Sequence, residues 1–339
     1  MSNEKIELAV NGLTLTVLTK SPVALSNDQG YGTYTPIKKI HFENTLKPFA
    51  SVSTFTYELK KILKDEPFKW SMAPLIVKGK NTVPKETEAM NQEADVFGYL
   101  LPDKQIDRKA PLRIIPLMAL NSYKNTTNLI TNRGLFDLNF GRSYFKEVEQ
   151  EGKKESKIEP MNADEIPTTQ AFATEEVHGD YYSYTVTLEL NRIGRIEYKD
   201  GSKKKLEMDK FEYAEDADRK KMINDILQAL KELGRNIKHQ NPLLRPLAVA
   251  GGIFNSTNPY FWDRMKLLRN GNLNDKALKN VITDYNLNQR GFCVIGIDGD
   301  EFVVDDNNIK RPIAVIDEII TKVDTLIWEK DKKQWKLSI

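Results

Sequence analysis

Between Tyr181 and Tyr198 the chain alternates strictly, with Tyr182, Tyr184, Val186, Leu188 and Leu190 on one side of the pleat, and the next long segment, Asp216 to Lys238, changes to helical spacing. A period of two giving way to a period of about 3.6 describes a strand with one buried face, followed by a helix able to cover that face. Met222, Ile223, Ile226, Leu227, Leu230 and Leu233 make the apolar stripe of the helix, with Asp216 or Asp218 available as its cap. Asp200-Gly201-Ser202 is a turn signal, and it predicts Lys204 to Phe211 as the partner strand.

The other segments arrange themselves around this pair. Ile6, Leu8 and Val10 alternate, and Leu13, Leu15 and Val17 do so again after Asn11-Gly12, which predicts a long first strand with a bulge or turn. A helix follows from about Ser53 to Lys64. Ala73–Val77 and Asp95–Leu101 are short apolar segments separated by Gly79 and the polar stretch Lys80–Glu93, an exposed loop or small helix. Pro111 and Pro116 confine any strand in Lys109–Leu120 to an edge or interrupt it. A helix at Asp275–Tyr285, a strand at Phe292–Ile297, a helix after Pro312 and a final strand at Thr325–Leu337 complete the pattern. From Gly141 to Gly179 the chain is polar and charge-dense without a sustained apolar period, an excursion from the core. This order predicts an α+β fold, a split βαβ core of the ferredoxin or RNA-recognition type with large insertions, forming one elaborated domain over residues 1–339.

Lys+Arg 50 against Asp+Glu 48 leaves a net charge of +2, so any phosphate-binding role rests on local patches. The single cysteine, Cys293, lies in an apolar run and reads as a buried, inert thiol. Met1 to Lys5 lacks the apolar core of a signal peptide and no window approaches a membrane span, so the expectation is a cytoplasmic protein with no membrane partner. His41, His178 and His239 form no pair at metal-ligand spacing, and neither a nucleophile elbow nor a Walker loop is present. The expectation is therefore a non-catalytic protein without cofactor or metal.

A ligand surface suggests itself at Ser21–Tyr34, where Gly30 and Gly32 allow close backbone approach and Asn27, Asp28, Gln29 and Tyr31 can touch sugars and bases. It leads through Lys38 and Lys39 to Ser51, Ser53 and Thr54, hydroxyls able to cap a helix whose free N–H groups face an anion, and that helix carries Lys60 and Lys61. Plainer readings stand beside these: an Asx-rich connection, an ordinary cap, a solvated helix face. Gly251-Gly252 is equally a tight turn or a close approach to RNA, and Trp70, Trp262, Trp328 and Trp335 suit core or interface anchors.

Four segments together resemble a known family: Ser21-Pro22 through Leu25-Ser26-Asn27-Asp28; Ala50 to Thr54 with Lys60-Lys61; Asp95-Val96-Phe97-Gly98; and Tyr182-Ser183-Tyr184 through Leu188 to Gly194. In this order they look like the RAMP-superfamily backbone subunit of class 1 CRISPR effector complexes, the Cascade protein that coats guide RNA, in its DevR branch and type I-B-like. The resemblance implies a subunit that polymerises as a helical filament along crRNA beside other Cascade subunits and leaves recognition of complementary target DNA to base pairing. It implies phosphate contacts from Lys38, Lys39, Lys47, Lys60 and Lys61, with donors from Ser51, Ser53 and Thr54. It also implies finger-like loops and a thumb-like insertion over 121–179, where Arg133 and Arg142 serve the same purpose and Phe136 and Phe140 wedge into the base stack. Phe55-Thr56-Tyr57 stands where basic relatives often carry further cations. Two other classes stay open: a metal-dependent ribonuclease of a related RNA-targeting complex, using Asp28 as its loop aspartate, and a nucleic-acid-binding regulator, for which no basic helix-turn-helix is evident.

Overall fold

The computed structural model describes residues 7–79, 81–85, 91–101, 105–131, 142–149, 156–162, 165, 172–198, 205–304 and 309–338. The described chain divides into two compact units, one comprising 1–26, 39–123 and 179–339 and the other 27–38 and 124–178.

The larger unit is built on a five-stranded sheet. Its strands, numbered within this sheet, are β1 (Gly12–Ser21), β2 (Leu112–Ala119), β3 (Asp180–Glu189), β4 (Ala248–Phe254) and β5 (Gly291–Ile297). They lie in the order β2-β3-β1-β4-β5, and every neighbouring pair is antiparallel. The helices are α1 (Val52–Lys64), α2 (Gln92–Phe97), α3 (Asp216–Lys231), α4 (Asp275–Asp284), α5 (Leu287–Arg290) and α6 (Pro312–Asp324).

Alternation sorts the side chains onto two faces. Leu13, Leu15 and Val17 of β1 share one face with Tyr182, Tyr184, Val186 and Leu188 of β3, and α1, α3 and α6 seal it with Phe55, Leu59, Ile226, Leu230 and Ile319. The Phe55 and Tyr184 rings lie 4.9 Å apart, an aromatic contact that fixes α1 on the sheet. On the opposite face Thr14 and Thr16 of β1 meet Thr187 and Thr185 of β3 through hydroxyl pairs at 3.3 and 2.9 Å, so these buried polar groups satisfy one another. Leu18, Ala248, Ala250 and Phe254 of that face pack under Phe261, Met265, Leu278 and Phe302. Tyr182 and Tyr184 are thus core residues, as their alternation indicated.

Several boundaries differ from the sequence reading, each for a definable reason. The first strand is two strands: Glu7–Val10 pairs with Gln334–Ser338 in a separate three-stranded sheet, and β1 begins at Gly12. A Cβ at Gly12 would stand 2.0 Å from the Ser256 carbonyl oxygen, so this crossing needs a glycine. The predicted final strand is likewise a hairpin, Ile327–Glu329 with Gln334–Ser338. Lys204–Phe211 does not pair with β3, whose neighbours are β2 and β1; the return after the predicted turn is confined to a bridge between Lys205 and Tyr198 and the Leu206 N–H donating to the Glu197 carbonyl at 2.9 Å, after which Met208–Lys210 forms a 3-10 turn and Glu212–Tyr213 pairs with Arg195–Ile196. Alternation stops because Leu190 and Ile193 are both buried, which bends 190–192 into a 3-10 turn. Helix α3 ends at Lys231, and Gly234 follows; its N-cap is Glu215 with no side-chain bond, while Asp216 and Asp218 sit in the first turn, where their charge suits the helix dipole. Asp95 belongs to α2 and not to a strand, and the polar stretch after Gly79 opens with a strand, Asn81–Pro84, paired to Leu75–Lys78. Gly251-Gly252 lies inside β4, where a Cβ on Gly251 would meet the Thr14 carbonyl oxygen at 2.0 Å. The edge position of the proline-bearing segment is as expected: β2 is outermost, with a bulge between Ile115 and Met118 around Pro116.

Trp70 and Trp335 are buried in the core. Arg219, fully buried, lays its guanidinium 3.9 Å from the Trp328 ring centroid and 4.4 Å from that of Trp335, tying α3 to the second sheet. Cys293 is half-buried on β5, and burial pushes its thiol up to about 12. Among the described residues no helix is long and apolar enough to cross a membrane.

Candidate nucleic-acid interface

The basic segment of the larger unit is a hairpin, Lys39–Phe42 paired with Thr45–Pro48, whose turn holds Glu43 and Asn44 at φ 49° and 60°. The chain then docks on the bulged edge of the sheet: Phe49 bridges Met118, the Ala50 N–H donates to the Leu117 carbonyl at 2.9 Å, and the next residue starts α1. Lys39 lies 4.3 Å from the centroid of the Tyr123 ring. Lys47 is turned inward, with its ammonium 3.3 Å from a Glu43 oxygen and its side chain only 11% exposed. Lys266 reaches the other Glu43 oxygen at 2.7 Å, and the bond from Lys266 leads the causes that hold the Glu43 carboxyl below its usual range. Lys266 carried no local signal in the sequence, since it lies far from the hairpin in the chain.

Ser51 is the N-cap of α1: its Oγ accepts the Thr54 N–H at 3.3 Å and stands 2.8 Å from Ser53 Oγ and 3.1 Å from Thr54 Oγ1. The three predicted hydroxyls are therefore brought together as a cap cluster. Lys60 is engaged elsewhere, bonded to Glu93 of α2 at 2.7 Å and stacked over Phe97 at 4.7 Å. Lys61 is exposed, as are Tyr57 and Lys64 on the same helix. Tyr57 and Lys64 were missed in sequence, although their spacing from Lys61 puts all three on one side of α1.

In the smaller unit, Asn27, Asp28 and Gln29 belong to a compact hairpin. Asn27 bridges Ile37, the Asp28 N–H donates to the Pro36 carbonyl at 2.9 Å, and Tyr31 and Tyr34 exchange backbone bonds around Gly32, at φ +59°. Asp28 Oδ1 accepts the Gln29 N–H at 2.9 Å, the local work of a turn aspartate. Tyr34–Thr35 adds to the strand Phe172–Glu176, which pairs with Thr127–Thr131; the Glu176 carboxylate accepts from the Tyr34 hydroxyl and, at 2.8 Å, from the Ile37 N–H. Tyr31 is 71% exposed at the hairpin tip. Lys38 is half-buried and Arg142 exposed, while Arg133, Phe136 and Phe140 lie outside the described residues. Lys203 and Lys204 lie outside them too, and Lys205 is bonded to Glu197 at 2.6 Å. Among the described residues no group of three His, Cys, Asp or Glu is placed to hold a metal ion.

Two of the short segments singled out in the sequence meet in the interior. Asp95, fully buried, accepts from Arg108 Nη2 on one oxygen and from the Gly194 N–H at 2.7 Å on the other. Arg108 also donates to the carbonyls of Asp95, Arg195 and Arg192 at 3.0, 2.7 and 2.8 Å. Gly194 is at φ +69°, and Gly98, at φ +74°, has no room for a Cβ, which would fall 2.4 Å from the Arg108 carbonyl oxygen. Burial raises Asp95 to about 6 against the pull of Arg108. Burial also acts upward on Glu197, but bonds from Lys205 and Arg195 and the charges of Arg195 and Arg108 overcome it and carry that carboxyl down to about 2. These segments form a structural clamp.

Residues 18–261 match the family model described as CRISPR-associated negative auto-regulator DevR/Csa2. The chain belongs to this family. Among solved structures, this DevR/Csa2 chain is similar to one from a CRISPR RNA-guided surveillance complex in its pre-nicking state, with a TM-score of 0.55 and 9% identity over 92% of this chain and 100% of that one. A chain of another CRISPR RNA-guided surveillance complex matches at a TM-score of 0.50 and 10% identity, over 91% of this chain and 98% of that one. At such identities the likeness is one of fold. No curated protein matches the sequence.

Proposed function

We propose that this DevR/Csa2 protein is the guide-RNA-binding backbone subunit of a Cascade-like surveillance complex, type I-B-like, in which copies of the chain line up along one crRNA and complementary DNA is read by pairing with the guide. The observation that carries the reading is the likeness of fold along nearly the whole chain to a chain of an RNA-guided surveillance complex, joined to a family match over 18–261. The path β1-α1-β2-β3-α3-β4, with sheet order β2-β3-β1-β4, is the one expected of a ferredoxin or RNA-recognition core, β5 being added at one edge. Residues 121–179 supply the thumb, and Arg133 and Arg142 add cations there. The protein acts in the cytoplasm beside other Cascade subunits, without a catalytic step of its own.

Guide phosphates are held without sequence readout by Lys38 and Lys39, by Lys61 on the exposed side of α1, and by the hydroxyls and first-turn N–H groups around Ser51, Ser53 and Thr54. Asn27, Asp28 and Gln29 present the hairpin that carries Tyr31. Lys47 and Lys60 contribute after exchanging their carboxylate partners for phosphate, so they add less than the exposed Lys61. The test is co-expression with a guide precursor and the processing partners, followed by sizing and RNA extraction. Large particles with uniform small RNAs are expected, and an RNA-free monomer would count decisively against the proposal. Joint reversal of Lys38, Lys39 and Lys61 to Glu should abolish particle growth while far-UV circular dichroism shows the fold intact. Lys60 is left out because a glutamate there would face Glu93.

A further inference from the structure

A cavity of about 160 Å³ opens beside the hairpin, between Phe42, the bulged edge around Pro116, and the segment Trp262–Leu267. All of it lies within the larger unit. Its floor is the threonine face of the sheet, lined by Ser183 and by Thr185, whose hydroxyl is paired with that of Thr16, and Asn121, bonded to Asp180 at 2.7 Å, stands at one side. The rings of Phe42 and Trp262 meet edge to face at 6.3 Å, and Trp262 is 39% exposed. Lys47 and Lys266 line it together with Glu43 and Asp263, and both lysines pair with Glu43.

We infer that this cavity takes one unstacked base of the bound single strand. The inference rests on the RNA-binding reading above and names a subsite within it. Size comes first: a cavity of about 150 Å³ is enough for a benzene ring, so this one admits a single aromatic heterocycle. Chemistry comes second. The lining balances Lys47 and Lys266 against Glu43 and Asp263, so it carries no net charge to draw an anion, and a purely aliphatic knob would cover the Ser183 hydroxyl without giving it a partner. A flat, uncharged ring with hydrogen-bonding edges satisfies both conditions, stacking beside Phe42 and Trp262 and bonding to the Ser183 hydroxyl. Position comes third. The hairpin that forms the wall also carries Lys39 and is anchored to the edge strand through Phe49 and Ala50, so a backbone held at Lys39 runs past the mouth.

The test is photocrosslinking of the intact protein to an oligouridylate in which every base is 4-thiouridine, with peptide mapping of the adducts and filter binding of the same oligomer. Crosslinks at Phe42 and Trp262 are expected, lost selectively in Ser183→Phe, which fills the cavity, while adducts elsewhere persist. The affinity of Ser183→Phe should fall roughly five- to 150-fold, the range expected for one base losing its aromatic stack. Trp262→Ala, at the exposed rim, should weaken binding in the same direction and serves if Ser183→Phe melts early. Strong RNA binding with adducts only outside the cavity, unchanged in both variants, overturns this subsite and leaves the RNA-binding proposal standing. Absence of RNA binding by the unaltered protein overturns both. Loss of self-association in Ser183→Phe with RNA crosslinks intact would assign the cavity to a second copy of the chain and refute the base.

Discussion

Replacing Arg108 by methionine removes the centre of the interior clamp. The guanidinium is buried, donates to Asp95 Oδ1 and to three backbone carbonyls, and stands 3.4 Å from Glu197. Methionine leaves Asp95 fully buried with the Gly194 N–H as its remaining bond and takes the shared donor from the carbonyls of Arg192 and Arg195. Stranding one member of a buried ion pair costs about 3–5 kcal/mol, a large part of the roughly 5–15 kcal/mol that holds a domain together. Urea unfolding followed by tryptophan fluorescence reads the loss. Asp95→Asn keeps an acceptor in place and should cost less, and the double variant Asp95→Asn/Arg108→Met should be more stable than the sum of the single losses by at least about 1 kcal/mol. A second signature is pH. Burial already raises Asp95 to about 6, and removing the cation raises it further. Protonation then relieves the stranded charge, so Arg108→Met should be less damaging at acid pH than at pH values well above that point. A cost within about 1 kcal/mol of zero, strict additivity in the double variant, or a penalty that grows on acidification would refute the reasoning.

Glu197 gives the opposite pH dependence. Its carboxyl is depressed from 4.5 to about 2, so it contributes stability that is present above the unfolded value and lost as pH falls from about 4.5 toward 2. The loss is at most about 3 kcal/mol by the linkage relation, and Glu197→Gln should remove that acid limb from a plot of urea midpoint against pH. Ser51→Ala deletes the cap of α1 and should cost about 1 kcal/mol in thermal melts. Gly98→Ala should destabilise more than Ser51→Ala, because the new Cβ falls on the Arg108 carbonyl at a left-handed backbone position. Binding of single-stranded RNA should weaken with salt along a slope of roughly −0.7 per neutralised phosphate. Lys61→Glu should shallow that slope, while Lys205→Glu, aimed at an internal carboxylate, should leave it unchanged.

The sequence alone was enough for what depends on near neighbours in the chain. The alternation of β3, the stripe of α3, the hydroxyl cap before α1, the edge status of the proline-bearing β2 and the helix opening at Pro312 all follow from spacing that fixes which side chains leave water together. A period says that a face is buried and leaves open what covers it. The third dimension decided that Glu7–Val10 and β1 enter different sheets, and that Leu190 leaves the strand for a 3-10 turn. It turned Lys47 toward Glu43 and Lys60 toward Glu93, and it made Asp95 and Gly194 partners across the chain. Charges at long separation carry no periodicity, so their pairing appears only when the sheet brings distant segments into register. The base-sized cavity has the same origin: its lining comes from the hairpin, the bulged edge of β2, β3 and Trp262–Leu267, segments far apart in sequence that meet only in the fold.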